Sequence, residues 1–171
     1  MTTPRIGNPI SASQINVELG RSATAPLSWS DPELLLLSGE TVTPQPAMSR
    51  WRSAMKVLIT PAPLPSGFAG YFSGFGGAAS QTNIYGTTLT GFIGNDYFAG
   101  GLEFMTPPFT LRFNSSSFPA PYAIKDAAGN RWTPADAQPD PVAFTFNAMP
   151  FATYPVGSGP GQYWFYLKFA N

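Results

Sequence analysis

The chain has 171 residues and no formal net charge, and only 11% of its residues are charged. That length holds one domain plus an appendage, and the charge balance excludes the basic stripe of a nucleic-acid binder. The lack of any Cys or His removes disulfides, thiolate nucleophiles and Cys–zinc sites, along with the usual general base and the commonest metal ligand.

Residues 1–9 show no periodicity and read as an extended tail. Arg5 is not followed by an apolar run, which predicts no signal peptide. No apolar run reaches the roughly 18 residues of a membrane-spanning helix.

The first strong signal lies at 10–20. Ser11 and Gln14 have the spacing of a reciprocal capping box, and Ile10 and Ile15 that of a hydrophobic staple. Gly20 suits the left-handed turn that ends a helix. The spacing predicts a helix over 12–19 with an apolar stripe of Ile15 and Leu19. Isolated helices that short are marginal in water, so the stripe must be buried, and another subunit is the expected surface.

After a small, polar stretch at 21–28, Asp31 and Pro32 open a second helix as N-cap and first helical residue. It covers 32–37 and ends near Ser38 and Gly39. Leu34, Leu35, Leu36 and Leu37 point to all sides. They either plug the base of the chain's own β-domain or enter a neighbouring subunit. The Thr/Pro-rich stretch at 40–46 reads as a stiff linker, and the arm gives way to a domain near Ser49.

From Arg50 the pattern changes to β-formers with period two. A strand at 51–60 breaks at Pro61. Residues 67–77 are rich in Gly and aromatics, which pack where glycine permits close backbone approach. A turn at Tyr85 and Gly86 divides 83–93, and Asn95 with Asp96 reads as a further turn. Strands at 102–105 and 109–113 flank Pro107 and Pro108. A strand at 122–125 leads through a hairpin turn at 126–130 into Arg131 and Trp132. Alternation returns at 142–146, 152–161 reads as a loop, and a strand at 163–169 closes the chain with aromatics on both faces. Such a strand must be central or covered by a neighbour. With 17 Gly, 19 Pro and 15% aromatics, the pattern is one of short strands and many turns. It predicts a mainly β fold: an antiparallel β-sandwich or jelly-roll-like domain at 49–171, preceded by an extended N-terminal docking arm at 1–48 that carries the two short helices.

Catalytic chemistry is sparse. Nine acidic residues are scattered along the chain. Asp136 and Asp140 lie in a Pro-rich loop and read as turn residues rather than as a glycosidase pair. Asp126, Asp136 and Asp140 lack the spacing of a calcium loop. Ser and Thr have no His as base, and no Gly-Lys-Ser/Thr follows the glycines. The expectation is a protein that is not an enzyme and takes no cofactor or metal. Trp51, Tyr97, Trp132 and Trp164 could stack on sugar rings, although core packing is the commoner use of aromatics.

The run Ile10-Ser11-Ala12-Ser13-Gln14-Ile15-Asn16-Val17-Glu18-Leu19-Gly20, continued by Arg21-Ser22-Ala23-Thr24-Ala25-Pro26-Leu27-Ser28, resembles the N-terminal segment of many bacteriophage tail, baseplate and tail-fibre proteins. The match covers roughly the first forty residues, with family-type residues throughout 13–19. The chain departs from the pattern at 30–37, where it has four leucines and the family carries Arg and Ala. The stretch Gly70-Tyr71-Phe72-Ser73-Gly74-Phe75-Gly76 is more weakly similar to the opening of tail-protein β-domains.

The resemblance implies a structural virion protein of the tail, a baseplate, tail-tip or fibre-attachment component assembled in the host cytoplasm. It implies docking through Ile10, Ser11, Gln14, Ile15, Glu18, Leu19 and the four leucines, with other tail proteins as partners. The rotational symmetry of tails implies a homo-oligomer. The alternatives are a host-surface glycan-binding module and a head decoration or neck protein. Neither nucleic acid nor membrane insertion is expected.

Overall fold

The computed structural model describes residues 10–28, 30–40, 53–117, 120–135, 140–157 and 161–170. Two helices, α1 (Ala12–Glu18) and α2 (Pro32–Ser38), precede the strands β1 (Ala54–Thr60), β2 (Ala62–Leu64), β3 (Phe68–Phe72), β4 (Ala78–Ala79), β5 (Asn83–Ile84), β6 (Thr87–Ala99) and β7 (Leu102–Phe113). There follow β8 (Pro121–Asp126), β9 (Arg131–Trp132), β10 (Ala143–Thr145), β11 (Tyr154–Pro155) and β12 (Tyr163–Phe169). They form two antiparallel sheets, as the sequence predicts for a β-sandwich. The first has the order β4-β1-β12-β8-β9, and the second β10-β7-β6-β3-β2, with β11 added to β7 and β5 to β6. Pro61 ends β1, and the chain crosses there from the first sheet to the second.

The main core lies between the sheets. Met55, Val57 and Ile59 of β1 and Phe165, Leu167 and Phe169 of β12 meet Leu89, Phe92, Met105, Phe109 and Leu111 of the second sheet. Phe109 is the hub: its ring lies 4.8 Å from Trp132, 5.3 Å from Phe92 and 5.7 Å from Phe165. The closing strand β12 is central, between β1 and β8, which answers its need for cover on two faces.

Three expectations are corrected. Asn95 and Asp96 are not a turn: they lie inside β6, opposite Thr106 and Met105. The chain reverses at Gly100 and Gly101, whose φ values of 58° and 80° are those a two-residue hairpin turn requires. Pro107 and Pro108 do not separate two strands. The β6–β7 register passes from Ile93–Thr110 to Asn95–Thr106, which leaves residues 107–109 in a bulge, where a missing N–H costs no ladder bond. Finally, the loop expected at 152–161 contains the short strand β11.

Candidate interaction surfaces

Both helices are defined by their ends. Gln14 N donates to Ser11 Oγ at 3.3 Å, and Ser11 N donates to Gln14 Oε1 at 2.8 Å, the reciprocal box that the spacing predicts. Asp31 Oδ1 caps α2 by accepting from Glu33 N at 2.9 Å. Gly39 closes α2 at φ 74°, and a Cβ there would sit 2.8 Å from Lys168 Cβ.

The helices do not reach outward. They lie on the outer face of the first sheet and make a second core from Ile15, Leu19, Leu34 and Leu37 with Ala54 and Tyr166, flanked by Ile10, Leu27 and Leu36. Register explains the fit. Across β1, β12 and β8, Lys56, Tyr166 and Lys125 stand side by side, and Ala54, Lys168 and Ala123 form the next row. All three lysines of the chain therefore share this face, and two alanines leave room for α2.

The segment at 10–40 answers that charge. Glu33 Oε1 accepts from Lys56 Nζ at 2.6 Å and from Tyr166 Oη at 2.8 Å, while Glu33 Oε2 accepts from Arg21 Nη2 at 2.7 Å. Arg21 also pairs with Asp31. Glu18 Oε1 accepts from Lys56 N at 2.6 Å and Gln81 Nε2 at 3.0 Å. Carbonyls at and beyond the end of α2 are taken by cations, as its dipole favours: Leu35 O and Glu40 O by Lys125 Nζ, and Gly39 O by Arg131 Nε at 2.7 Å. Burial pushes the Glu18 carboxyl up to about 7, against the Lys56 amide. Burial also acts upward on Glu33, but its bonds from Lys56, Arg21 and Tyr166 prevail and hold it below the usual range. The Arg21 guanidinium holds Asp31 low despite its partial burial.

Leu34 and Leu37 thus take the first of their two expected arrangements, a plug on the chain's own β-domain, and the stripe of Ile15 and Leu19 is covered by the chain's own sheet rather than by another subunit. Ile15, Leu19, Leu34 and Leu37 are buried within their own chain. Ser11 and Gln14 serve the cap, Glu18 holds β1, and Ile10, Leu35 and Leu36 are half-buried. The physical reason is that the outer side of β12 carries Tyr166 and Lys168, and the helices cover both.

The three described stacking candidates, Tyr97, Trp132 and Trp164, do not converge. Trp132 is fully buried against Phe109, and its Nε1 donates to Pro150 O at 2.9 Å, so no sugar reaches it. Trp51 lies outside the described residues. Tyr97 is exposed on the second sheet, in edge contact with Phe151. Trp164 is exposed on the first sheet with Lys56 Nζ 4.4 Å from its ring centre. It lines two clefts of about 370 and 430 Å³, one containing Glu18, Lys56 and Gln81, the other Asn130, Thr153 and Gln162.

Among the acids, Asp126 stabilises the β8–β9 turn, accepting from Asn130 N at 2.8 Å and from Tyr154 Oη at 2.7 Å. Asp140 likewise holds its own turn through Val142 N at 2.9 Å. Asp136 lies outside the described residues.

Sequence reasoning missed a groove of about 390 Å³ on the outer face of the second sheet, lined by Leu64, Phe68, Phe72, Phe75, Ile93 and Arg112. Phe72 lies over Gly91, where a Cβ would approach its ring to 3.2 Å. Phe75 stacks on Phe72 at 4.9 Å with the rings 10° from parallel. The Gly/aromatic stretch at 67–77 was the available signal: glycine at 91 leaves room for Phe72, and the Ser-Gly turn brings Phe75 back onto it.

No protein-family model, curated protein or solved structure matches the chain. Among the described residues no helix is long and apolar enough to cross a membrane.

Proposed function

We propose that the chain is a structural protein of a bacteriophage tail, acting in the virion as a non-enzymatic β-sandwich module. The observation that carries this reading is the run at 13–19. It resembles the tail-protein segment, and its residues perform structural tasks: Gln14 completes the cap, Ile15 and Leu19 build the second core, and Glu18 binds the backbone of β1. In this reading the segment braces the chain's own sandwich, and exposed aromatic surfaces face the neighbours. The test is mass spectrometry of gradient-purified particles from a culture that encodes the chain. The chain should co-purify with intact tails, and its confinement to the soluble fraction would overturn the proposal.

A second reading, glycan recognition at the host surface, is favoured by Trp164, whose exposed indole lies beside clefts that carry amide and hydroxyl groups. Loss of glycan-array binding in Trp164→Ala would support it, and an array with no signal for the parent chain would end it.

A further inference from the structure

The outer faces of the two sheets are treated differently. On the first, Tyr166 and the lysines lie under α1 and α2. On the second, Phe75 is 64% exposed and Phe68 42% exposed, yet Phe75 is fixed by its stack on Phe72. Its turn is closed by Phe75 N and Gly76 N, both donating to Phe72 O, at 2.9 and 3.1 Å. Rings held rigid in water lose little further freedom on association, so they are suited to anchor an interface.

The charges beside the groove indicate the occupant. Arg112 lines it, and Arg112 Nη2 lies 3.8 Å from Asp140 Oδ2, with the side chains 43% and 40% exposed. That separation is too long for a hydrogen bond, so each group retains capacity for a closer partner. Asp140 is oriented by its bond from Val142 N. Arg112 comes from β7 and faces Ala143 across the ladder. A cation and an anion at one rim are self-complementary about a two-fold axis, where Arg112 of each copy meets Asp140 of the other. A uniformly acidic or basic partner would satisfy one and oppose the other. The chain's zero net charge adds little repulsion between copies.

We infer that this face binds a second copy of the chain. Phe68 and Phe75 pack across a two-fold axis in the resulting dimer, and two reciprocal Arg112–Asp140 pairs set its register. The inference rests on the assembly reading above and names the surface through which copies associate.

The test is analytical ultracentrifugation of the full chain, its Arg112→Asp and Asp140→Arg variants, and their equimolar mixture. The parent chain should sediment at twice the monomer mass. Each charge reversal should weaken the dimer by roughly tenfold or more. The mixture should recover it, because a heterodimer of the two variants restores both opposite-charge pairs. Phe75→Ala, which removes an exposed ring and leaves both cores intact, should weaken dimerisation while matching the parent's melting temperature at dilutions where both chains are monomeric, and it decides the matter should a reversal fail to fold. A monomeric parent chain, a dimer indifferent to all three substitutions, or a mixture that stays monomeric would overturn the inference. None of these results alters whether the chain is found in purified tails, so the two proposals fail separately.

Discussion

Lys56 Nζ lies 2.6 Å from Glu33 Oε1, and this contact joins β1 to a helix 23 residues earlier in the chain. Glu33 also takes Arg21 and Tyr166, so a single carboxylate links α2, the loop before it, β1 and β12. Removing it leaves three donors facing one another in a partly dry interface. Glu33→Ala should lower unfolding free energy by about 2 kcal/mol, as expected for breaking a part-buried charged network. Lys56→Met, which keeps the stem's volume, should cost less. Urea unfolding of both single variants and the double variant should show coupling of about 1 kcal/mol, and strictly additive effects would contradict the link.

The second core makes a prediction opposite to that of a free arm. Ile15 is fully buried against the chain's own sheet. Ile15→Asp places an unpaired carboxylate in an apolar site and should cost about 3 kcal/mol or more. A tether lying on another protein would leave the melting temperature of the isolated chain unchanged. Thermal unfolding therefore separates the two arrangements directly.

Local signals were readable, and long-range ones were not. Ser11 with Gln14, Asp31 with Pro32, and Gly39 define the helix ends through contacts within a few residues, and each is used as its spacing indicates. The destination of those helices depends on Lys56, Lys125 and Lys168. These stand on one face only because β1, β8 and β12 are neighbours in the sheet, a pairing that no local pattern encodes. Trp132 and Trp164 illustrate the same limit. In β12 the alternation runs over seven residues and sets Trp164 apart from Phe165. β9 has two residues, too few for a period, so only the fold reveals that Trp132 points inward. The Asn95–Asp96 turn was misread because both residue types favour turns, while the glycine pair at 100–101 supplies the better geometry.

Two glycines with nearly equal backbone angles should respond differently to a side chain. Gly20 has φ 77° with nothing within 4 Å of a Cβ, and Gly39 has φ 74° with Lys168 Cβ at 2.8 Å. Gly20→Ala should cost about 1 kcal/mol, the ordinary penalty of a left-handed L-residue. Gly39→Ala carries the same penalty plus displacement of β12 or α2, and should cost about twice as much or more. Equal losses in denaturant titrations would mean that α2 does not press on Lys168 as described.

The buried carboxyl of Glu18 sets a pH dependence whose sign is opposite to that of its neighbours. Its pKa rises from 4.5 to about 7 on folding because burial disfavours the charged form. Between these values the folded chain binds more protons than the unfolded one, so its contribution to stability is complete below pH 4.5 and is lost as the pH rises through 7. Asp31 and Glu33, both held low, act in the other direction: their stabilisation is present above the ordinary carboxylate range and disappears in acid. The parent chain should therefore be most stable in mildly acidic buffer. Glu18→Gln retains an oxygen to accept from the Lys56 amide and has no proton to lose. It should remove the decline toward neutral pH, and near pH 8 it should exceed the parent by about 1 to 3 kcal/mol. The acid-side loss from Asp31 and Glu33 should remain in the variant. Parallel stability curves for the two proteins across neutral pH would show that Glu18 is not the group responsible.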